Sequence, residues 1–278
     1  MEDYPAERAL CDFYDLIRDG GRVGDRAPGP LKTGVDLGTA TIVLSVLDSR
    51  NRPVAGALTR STVVRDGIVV DYVGAVAAVR RMKAELEERL GEPLETAATA
   101  IPPGILPGNT RAIANVVEAA GFTLAEVSDE PTAAARLLGV RDGAVVDVGG
   151  GTTGISVLKD GAVLFTDDEA TGGTHMTLVL AGALGLPFEE AERLKTDASR
   201  EDEVFPVVRP VVEKMAAIVN HCLDGRDVGI LHVVGGACGF SRFEEVFRKE
   251  TGRTVSKPVH PMLVTPLGIA MFGAGGEP

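Results

Sequence analysis

The chain of 278 residues carries one twelve-residue stretch twice, at 36–47 and again at 147–158. The copies align without a gap, and six of the twelve positions are identical: Asp36/Asp147, Gly38/Gly149, Thr41/Thr152, Ser45/Ser156, Val46/Val157 and Leu47/Leu158. Repeated Val and Leu are ordinary strand residues, but a repeated Asp, Gly and Thr at a turn need a common cause. Each copy reads as an apolar strand that enters a glycine turn and leaves it as a second, β-branched strand. Each copy is followed by alternating helix and strand patterns, so duplication of one α/β unit explains the chain better than two unrelated loops do.

Around the copies, apolar periodicity predicts helices near 73–90, 109–120, 173–184, 189–195, 207–223, 242–250 and 264–272, and one starting at Pro131. Strands are predicted near 96–101, 124–127, 144–148, 155–158, 162–165 and 230–234, and Arg65-Asp66-Gly67 marks a turn in a small meander. Ahead of the first copy, Ala6, Leu10, Phe13 and Ile17 fall on one face of a helix over 5–18. A flexible linker rich in glycine and proline (Gly20, Gly21, Gly24, Pro28, Gly29, Pro30) follows it; residues 1–30 read as an appendage to the fold proper, whose helix either docks on the protein's own surface or is a targeting segment.

Composition narrows the function classes. With 34 Gly, no Trp and 45% apolar residues, the interior is small and aliphatic with many tight turns, which suits α/β architecture. A net charge of −12 argues against a nucleic-acid surface, which needs clustered Lys and Arg. It does not exclude a small phosphate held by backbone N–H groups and a metal ion. Glu2, Asp3 and Glu7 do not read as a secretory signal, and no apolar run reaches the length of a membrane span. The expectation is a cytoplasmic chain with no nucleic-acid or membrane partner. Cys11, Cys222 and Cys238 lack metal-ligand spacing and read as reduced thiols, and the four histidines share no such spacing either.

The chemistry sits in the turns. Glycines let the backbone approach a ligand closely, successive N–H groups can converge on phosphate oxygens, and a Thr hydroxyl adds a neutral donor. An Asp at the end of a buried strand needs a partner, and magnesium would supply one. Two facing turns would place Asp36 and Asp147 near one cation and enclose a polyphosphate. The glycines lead into a strand and no Gly-Lys-Ser/Thr follows, so neither is a Walker A loop nor a dinucleotide fingerprint.

The same residues carry a family resemblance. VDLGTATIVLSVLD and VVDVGGGTTGISVLKD resemble the two phosphate motifs of the actin, heat-shock-chaperone and sugar-kinase ATPase superfamily. SDEPTAAARLLG resembles its first connecting motif, LHVVGGACGFSRFEEVF its adenosine motif, and HPMLVTPLGIAMFGA its second connecting helix. Within the superfamily the chain is most similar to the EutJ family, the chaperone-like proteins of ethanolamine-utilisation operons. The resemblance implies two actin-like (ribonuclease H-like) α/β domains with mixed sheets and a nucleotide cleft between them. Domain I would span 31–142, completed by the helix 262–274, and domain II 143–261.

The resemblance also implies roles for single residues. Asp36 and Asp147 would organise magnesium, and Gly38, Thr39, Gly149, Gly150, Gly151 and Thr152 would border or contact the phosphates of ATP or ADP. Glu130 would orient the attacking water, or else be a helix N-terminal carboxylate beside the dipole. Glu192 and Lys195 would contact ribose and adenine, with a surface ion pair as the alternative; Gly235 and Gly236 would pass flat against the adenosine. Gly172 and Gly173 would close over the γ-phosphate, or simply start a helix.

The chain departs from the chaperone pattern at several places. Gly154 stands where the chaperones have a second acid, Met262 replaces an acid near the last helix, and neither an adenine-stacking Arg after Gly236 nor a catalytic Lys has a clear counterpart. These departures imply slow ATP hydrolysis, with exchange or occupancy as alternative working signals. The implied role is chaperone-like, serving enzymes of an ethanolamine microcompartment without the peptide-binding domain of the heat-shock chaperones. A targeting role for the helix over 5–18 would direct the protein to the microcompartment shell. The rival readings are an actin-like scaffold that polymerises or recruits partners, and a small-molecule kinase.

Overall fold

The computed structural model of the chain describes residues 5–20, 22–65 and 67–273; Glu2, Asp3, Gly21, Asp66 and Ala274 lie outside them. Strands β1 (Lys32–Leu37), β2 (Thr41–Leu47), β3 (Pro53–Arg60), β6 (Thr96–Ile101) and β7 (Thr123–Asp129) form one sheet in the order β3-β2-β1-β6-β7. Two short strands, β4 (Val64–Arg65) and β5 (Ile68–Val69), pair separately as a small hairpin. A second sheet has the order β10-β9-β8-β11-β12, built from β8 (Gly143–Val148), β9 (Thr153–Lys159), β10 (Ala162–Glu169), β11 (Ile230–Val234) and β12 (Thr254–Ser256). Both sheets are mixed: three antiparallel strands, then two parallel ones added beside the first. The repeat seen in twelve residues therefore extends to the topology of whole sheets.

Helices α2 (Tyr72–Leu90) and α3 (Pro107–Ala119) share one core with the first sheet, centred on Val35, Leu37, Ile42, Val79 and Leu86. Asp71 opens α2 by accepting the Gly74 N–H at 2.9 Å, and Gly91 closes it with φ of +70°. Helices α5 (Gly173–Leu184), α6 (Phe188–Lys195), α7 (Glu201–Cys222) and α8 (Phe243–Thr251) cover the second sheet around Val146, Ile155, Phe205 and Phe243.

A third core lies between the sheets, where α4 (Glu130–Leu138) meets α9 (Val264–Ala270). The two helices touch backbone to backbone, because a Cβ at Gly268 would run into the Ala133 carbonyl. The chain end thus returns to the first sheet, and a Cβ at Gly34 of β1 would stand 2.6 Å from the Ala270 nitrogen.

Three sequence expectations change. The N-terminal helix α1 (Ala6–Arg18) docks on the protein itself and is part of the fold rather than an appendage to it: Leu10 and Phe13 are fully buried in the core between the sheets, and Gly56 of β3 leaves the space Phe13 fills. The linker after it is fastened to the sheet. Gly24 N–H donates to Val54, and Ala27 N–H donates to the buried Asp48 carboxylate at 2.8 Å. Burial pushes the Asp48 carboxyl up, but donors from Ala27, Arg52 and Arg50 outweigh it and hold it below the usual range.

Helix α7 starts at Glu201 rather than near 207, running through Pro206 and Pro210. Burial of Val204, Phe205 and Val208 holds the first turns in place despite the lost N–H donors. Strand β10 continues to Glu169 rather than stopping near 165, through residues with little strand preference, because its pairing with β9 continues. No helix among the described residues is long and apolar enough to cross a membrane.

Candidate nucleotide cleft

Strand alternation aims both aspartates at the space between the sheets. Val35 and Leu37 face the core under α2, so Asp36 between them faces the other way. Val146 and Val148 face the core under α7, so Asp147 likewise turns toward α4 and α9. Each aspartate is the next-to-last residue of its strand, just before its glycine turn.

The two turns meet. A Cβ built on Gly150 would stand 3.4 Å from both the Thr39 and the Ala40 side chains, an ordinary contact across the gap between the sheets. In the second turn Gly149 N–H donates to the Thr152 carbonyl at 3.0 Å. Gly149 and Gly150 present their carbonyls to the start of α5, where Gly173 and Thr174 donate at 2.9 and 2.8 Å. Gly172 packs so closely that a Cβ there would stand 2.7 Å from the Gly150 carbonyl oxygen. The Gly173 N–H is therefore engaged with the loop itself.

The electrostatics fit a cation-binding cleft. Asp36 is half-buried, and desolvation together with the Asp147 charge pushes its pKa up to about 7. Asp147 is 6% exposed; burial raises it to about 6, opposed by a hydrogen bond from the Thr265 hydroxyl in the first turn of α9. Glu130, the first residue of α4, is raised well above its ordinary value by burial and then by Asp147, Asp36, Asp168 and Asp129. Asp168 on β10 is pushed to about 7 by burial, against a hydrogen bond from Thr152. These are hard oxygen donors whose negative charges raise one another, and Oδ1 of Asp168 is enclosed without a hydrogen-bond partner. Such a donor set suits magnesium and not a soft metal.

The remaining sequence candidates fall into two groups. Gly235, at the end of β11 with φ of +94°, is pressed against the second turn, and any Cβ there would strike Asp147 and the Val148 carbonyl. Gly236 faces Met262, 3.6 Å from where its Cβ would be. Glu192 and Lys195 lie farther along the cleft wall as a tethered pair. Lys195 Nζ donates to Glu192 at 2.7 Å, to Thr177 at 2.8 Å and to the Gly173 carbonyl at 3.0 Å. Burial lowers the Lys195 pKa, the Glu192 charge raises it, and Arg60 lowers it further. The pair thus braces α6 against the start of α5.

Sequence reasoning missed Thr265 and Asp168. Thr265 lies inside the second connecting motif and was legible only as an ordinary helix residue. Asp168 was hidden because its strand was expected to end before it.

The geometry can be set beside known proteins. The chain is 47% identical over 245 residues to the ethanolamine utilization protein EutJ of Salmonella typhimurium, covering 88% of this chain and 86% of that one. The chain belongs to the EutJ family. A crystal structure of EutJ from Carboxydothermus hydrogenoformans superposes with a TM-score of 0.91 at 52% identity, over 96% of this chain and 98% of that one. Family models for the cell division protein FtsA and for MreB/Mbl match residues 144–267 and 54–181. MreB 5 of Spiroplasma citri, in a structure bound to AMPPNP, shares the fold at a TM-score of 0.72 and 15% identity, over 88% of this chain and 96% of that one. This EutJ-family chain is thus actin-like in fold, with two mixed sheets and a cleft between them.

Proposed function

We propose that the chain is a chaperone-like, ATP-binding protein of ethanolamine utilisation that turns ATP over slowly, and that the cleft between the two glycine turns is its nucleotide site. The contact of Gly150 with Thr39 and Ala40 carries this reading, because it brings two backbone cradles and Asp36 and Asp147 around one volume. Thr39, Gly149, Gly150, Gly151 and Thr152 would hold the β- and γ-phosphates, and Gly38 lets the first turn close. Gly235 and Gly236 would pass their backbone flat against the adenosine, and Glu192 and Lys195 would line its side of the cleft.

The hydrolytic roles fall to the acids. Bound magnesium supplies positive charge that offsets the phosphates and returns the raised carboxyls to their ionised forms. Asp36 and Asp147 would hold its water shell. Glu130 would orient the attacking water and take its proton. Positioning and charge neutralisation are all that phosphoryl transfer requires of the protein.

The domains we assign are 31–142, completed by 262–274, and 143–261, each contributing one turn. ATP held by both turns would change the angle between the domains about the crossing of α4 and α9. That movement would signal to enzymes of the ethanolamine pathway or its microcompartment, a partnership resting on the names of the relatives.

Calorimetric titration with ATP and magnesium tests the site. Wild type should bind and Asp147→Asn should bind more weakly. Absence of binding by wild type removes the proposal, and equal binding by both removes the role of Asp147.

A second reading is an actin-like scaffold that binds ATP and polymerises or recruits partners. The partial matches to FtsA and MreB favour it. ATP-dependent sedimentation as filaments would establish it, and a monomer at all concentrations with ATP would exclude polymerisation.

A further inference from the structure

Strand β10 ends in three consecutive acids, Asp167, Asp168 and Glu169. The pleat turns Asp167 and Asp168 to opposite faces of the sheet, but β10 is an edge strand and both stay reachable from its open side. None of the three has an ion-pair partner among the described residues. Burial, and after it the charges of Asp167, Glu169 and Asp147, push the Asp168 carboxyl up to about 7. A cation beside these acids would relieve that repulsion.

The facing wall is apolar. Asp167 and Asp168 line an open cavity of about 360 Å³ whose other side is Ile68, the loop over 102–106 and Asn109, all from the first half of the chain. Ile68 is 47% exposed and Leu106 70%. A Cβ at Gly67 would stand 2.8 Å from Ile105, so the hairpin of β4 and β5 is pressed onto this wall and holds Ile68 at the rim. Val70, Tyr72 and Val73, next along the chain, are exposed as well. Exposed apolar side chains gathered at a concave site mark an interaction surface. An acidic wall opposite an apolar one calls for an occupant with both characters.

We infer that the groove between β10 and the 102–106 loop docks an extended segment of a protein partner in which basic and apolar residues alternate. Successive side chains of an extended segment point to opposite sides. Lys or Arg would reach Asp167 and Asp168 while the apolar residues lie on Ile68 and Leu106, and the aliphatic stem of the basic residue would cover proline surface. Main-chain groups along the open edge of β10 would add hydrogen bonds. A second copy of the chain is a poor occupant, since copies that each carry a net charge of −12 repel one another. Docking there requires no nucleotide.

The test is fluorescence anisotropy of the full chain with three short labelled peptides, of alternating Leu and Lys, Leu and Glu, or Ser and Lys. The Leu/Lys peptide should bind, and the other two at least about tenfold more weakly. Leu106→Ser and Asp167→Asn should each weaken the Leu/Lys peptide by about tenfold or more, as loss of a central interface anchor does. Leu178→Ser on α5 and Glu190→Gln on α6 replace exposed residues that do not line the groove, and should leave binding unchanged. Wild type that fails to bind the Leu/Lys peptide, or groove variants that bind it as wild type does, overturn the inference. Equal binding of the Ser/Lys peptide also overturns it, since that is unspecific attraction to an acidic protein. Self-association of the free chain that Leu106→Ser abolishes would do the same, by making a second copy the occupant.

Discussion

The Thr265 hydroxyl, in the first turn of α9, donates to the Asp147 carboxylate at the end of β8. A helix from the end of the chain, packed on the first sheet, thereby touches the acid that opens the second glycine turn. The bond stabilises the ionised form of Asp147, and hydrogen bonds to charged groups contribute about 1.5–3 kcal/mol. Thr265→Val should lower thermal stability by an amount of that order at about pH 8, where Asp147 is ionised, and by much less at about pH 5. An equal loss at both pH values would mean that Thr265 acts by packing alone.

The acids of the cleft set a pH dependence of the ligand-free protein. Asp36 and Asp168, near 7, and Asp147, near 6, lie above their unfolded value of 3.8. The folded state therefore binds more protons than the unfolded one, and stability contributed by these groups is present below about pH 4 and lost as pH rises to about 7. Asp36→Asn should raise the melting temperature at about pH 8, less at about pH 5, and change it little at about pH 3.5. Thermal denaturation across this range decides it, and a variant destabilised at both ends would contradict the assignment.

Two glycines at α5 should behave in opposite ways. A Cβ at Gly172 would press on the carbonyls of Gly149 and Gly150, whereas one at Gly182 would meet nothing within 4 Å. Gly172→Ala should weaken ATP binding by shifting the second turn. Gly182→Ala should leave binding unchanged and stabilise the protein by about 0.5–1 kcal/mol, the helix preference of alanine over glycine. Calorimetry and denaturant titration of the two variants separate these effects.

The first helix should matter for stability. Phe13 is fully buried against Gly56 of β3, and Tyr14 stacks on His260 with ring centroids 3.9 Å apart, close to α9. Phe13→Ala should lower stability by about 3–5 kcal/mol, as truncation of a buried aromatic side chain does. A change below about 1 kcal/mol would mean that α1 docks only weakly.

The glycine turns and the aspartates before them were legible in the sequence, because their signals are local. An Asp before a glycine turn, repeated at two places, needs no knowledge of distant residues. The strand beginning at Thr96 and the helix over 173–184 were legible for the same reason, their apolar periods being unbroken. The start of α7 was not, because proline is an obstacle in a local reading and an accepted cost once Val204 and Phe205 are buried.

By itself, then, the sequence determined that this chain is a duplicated α/β protein with two glycine turns, each led by an aspartate, and family motifs supplied the expectation of a cleft. Tertiary structure decided which groups share that cleft. Thr265 reaches Asp147 across 118 positions of sequence. Asp168 joins the cleft because pairing with β9 carries a polar segment onward as strand, and the pleat then turns Asp168 one way and Asp167 the other. Residue type and spacing report local preference, but which side chains meet is set by strand register and by the packing of distant helices.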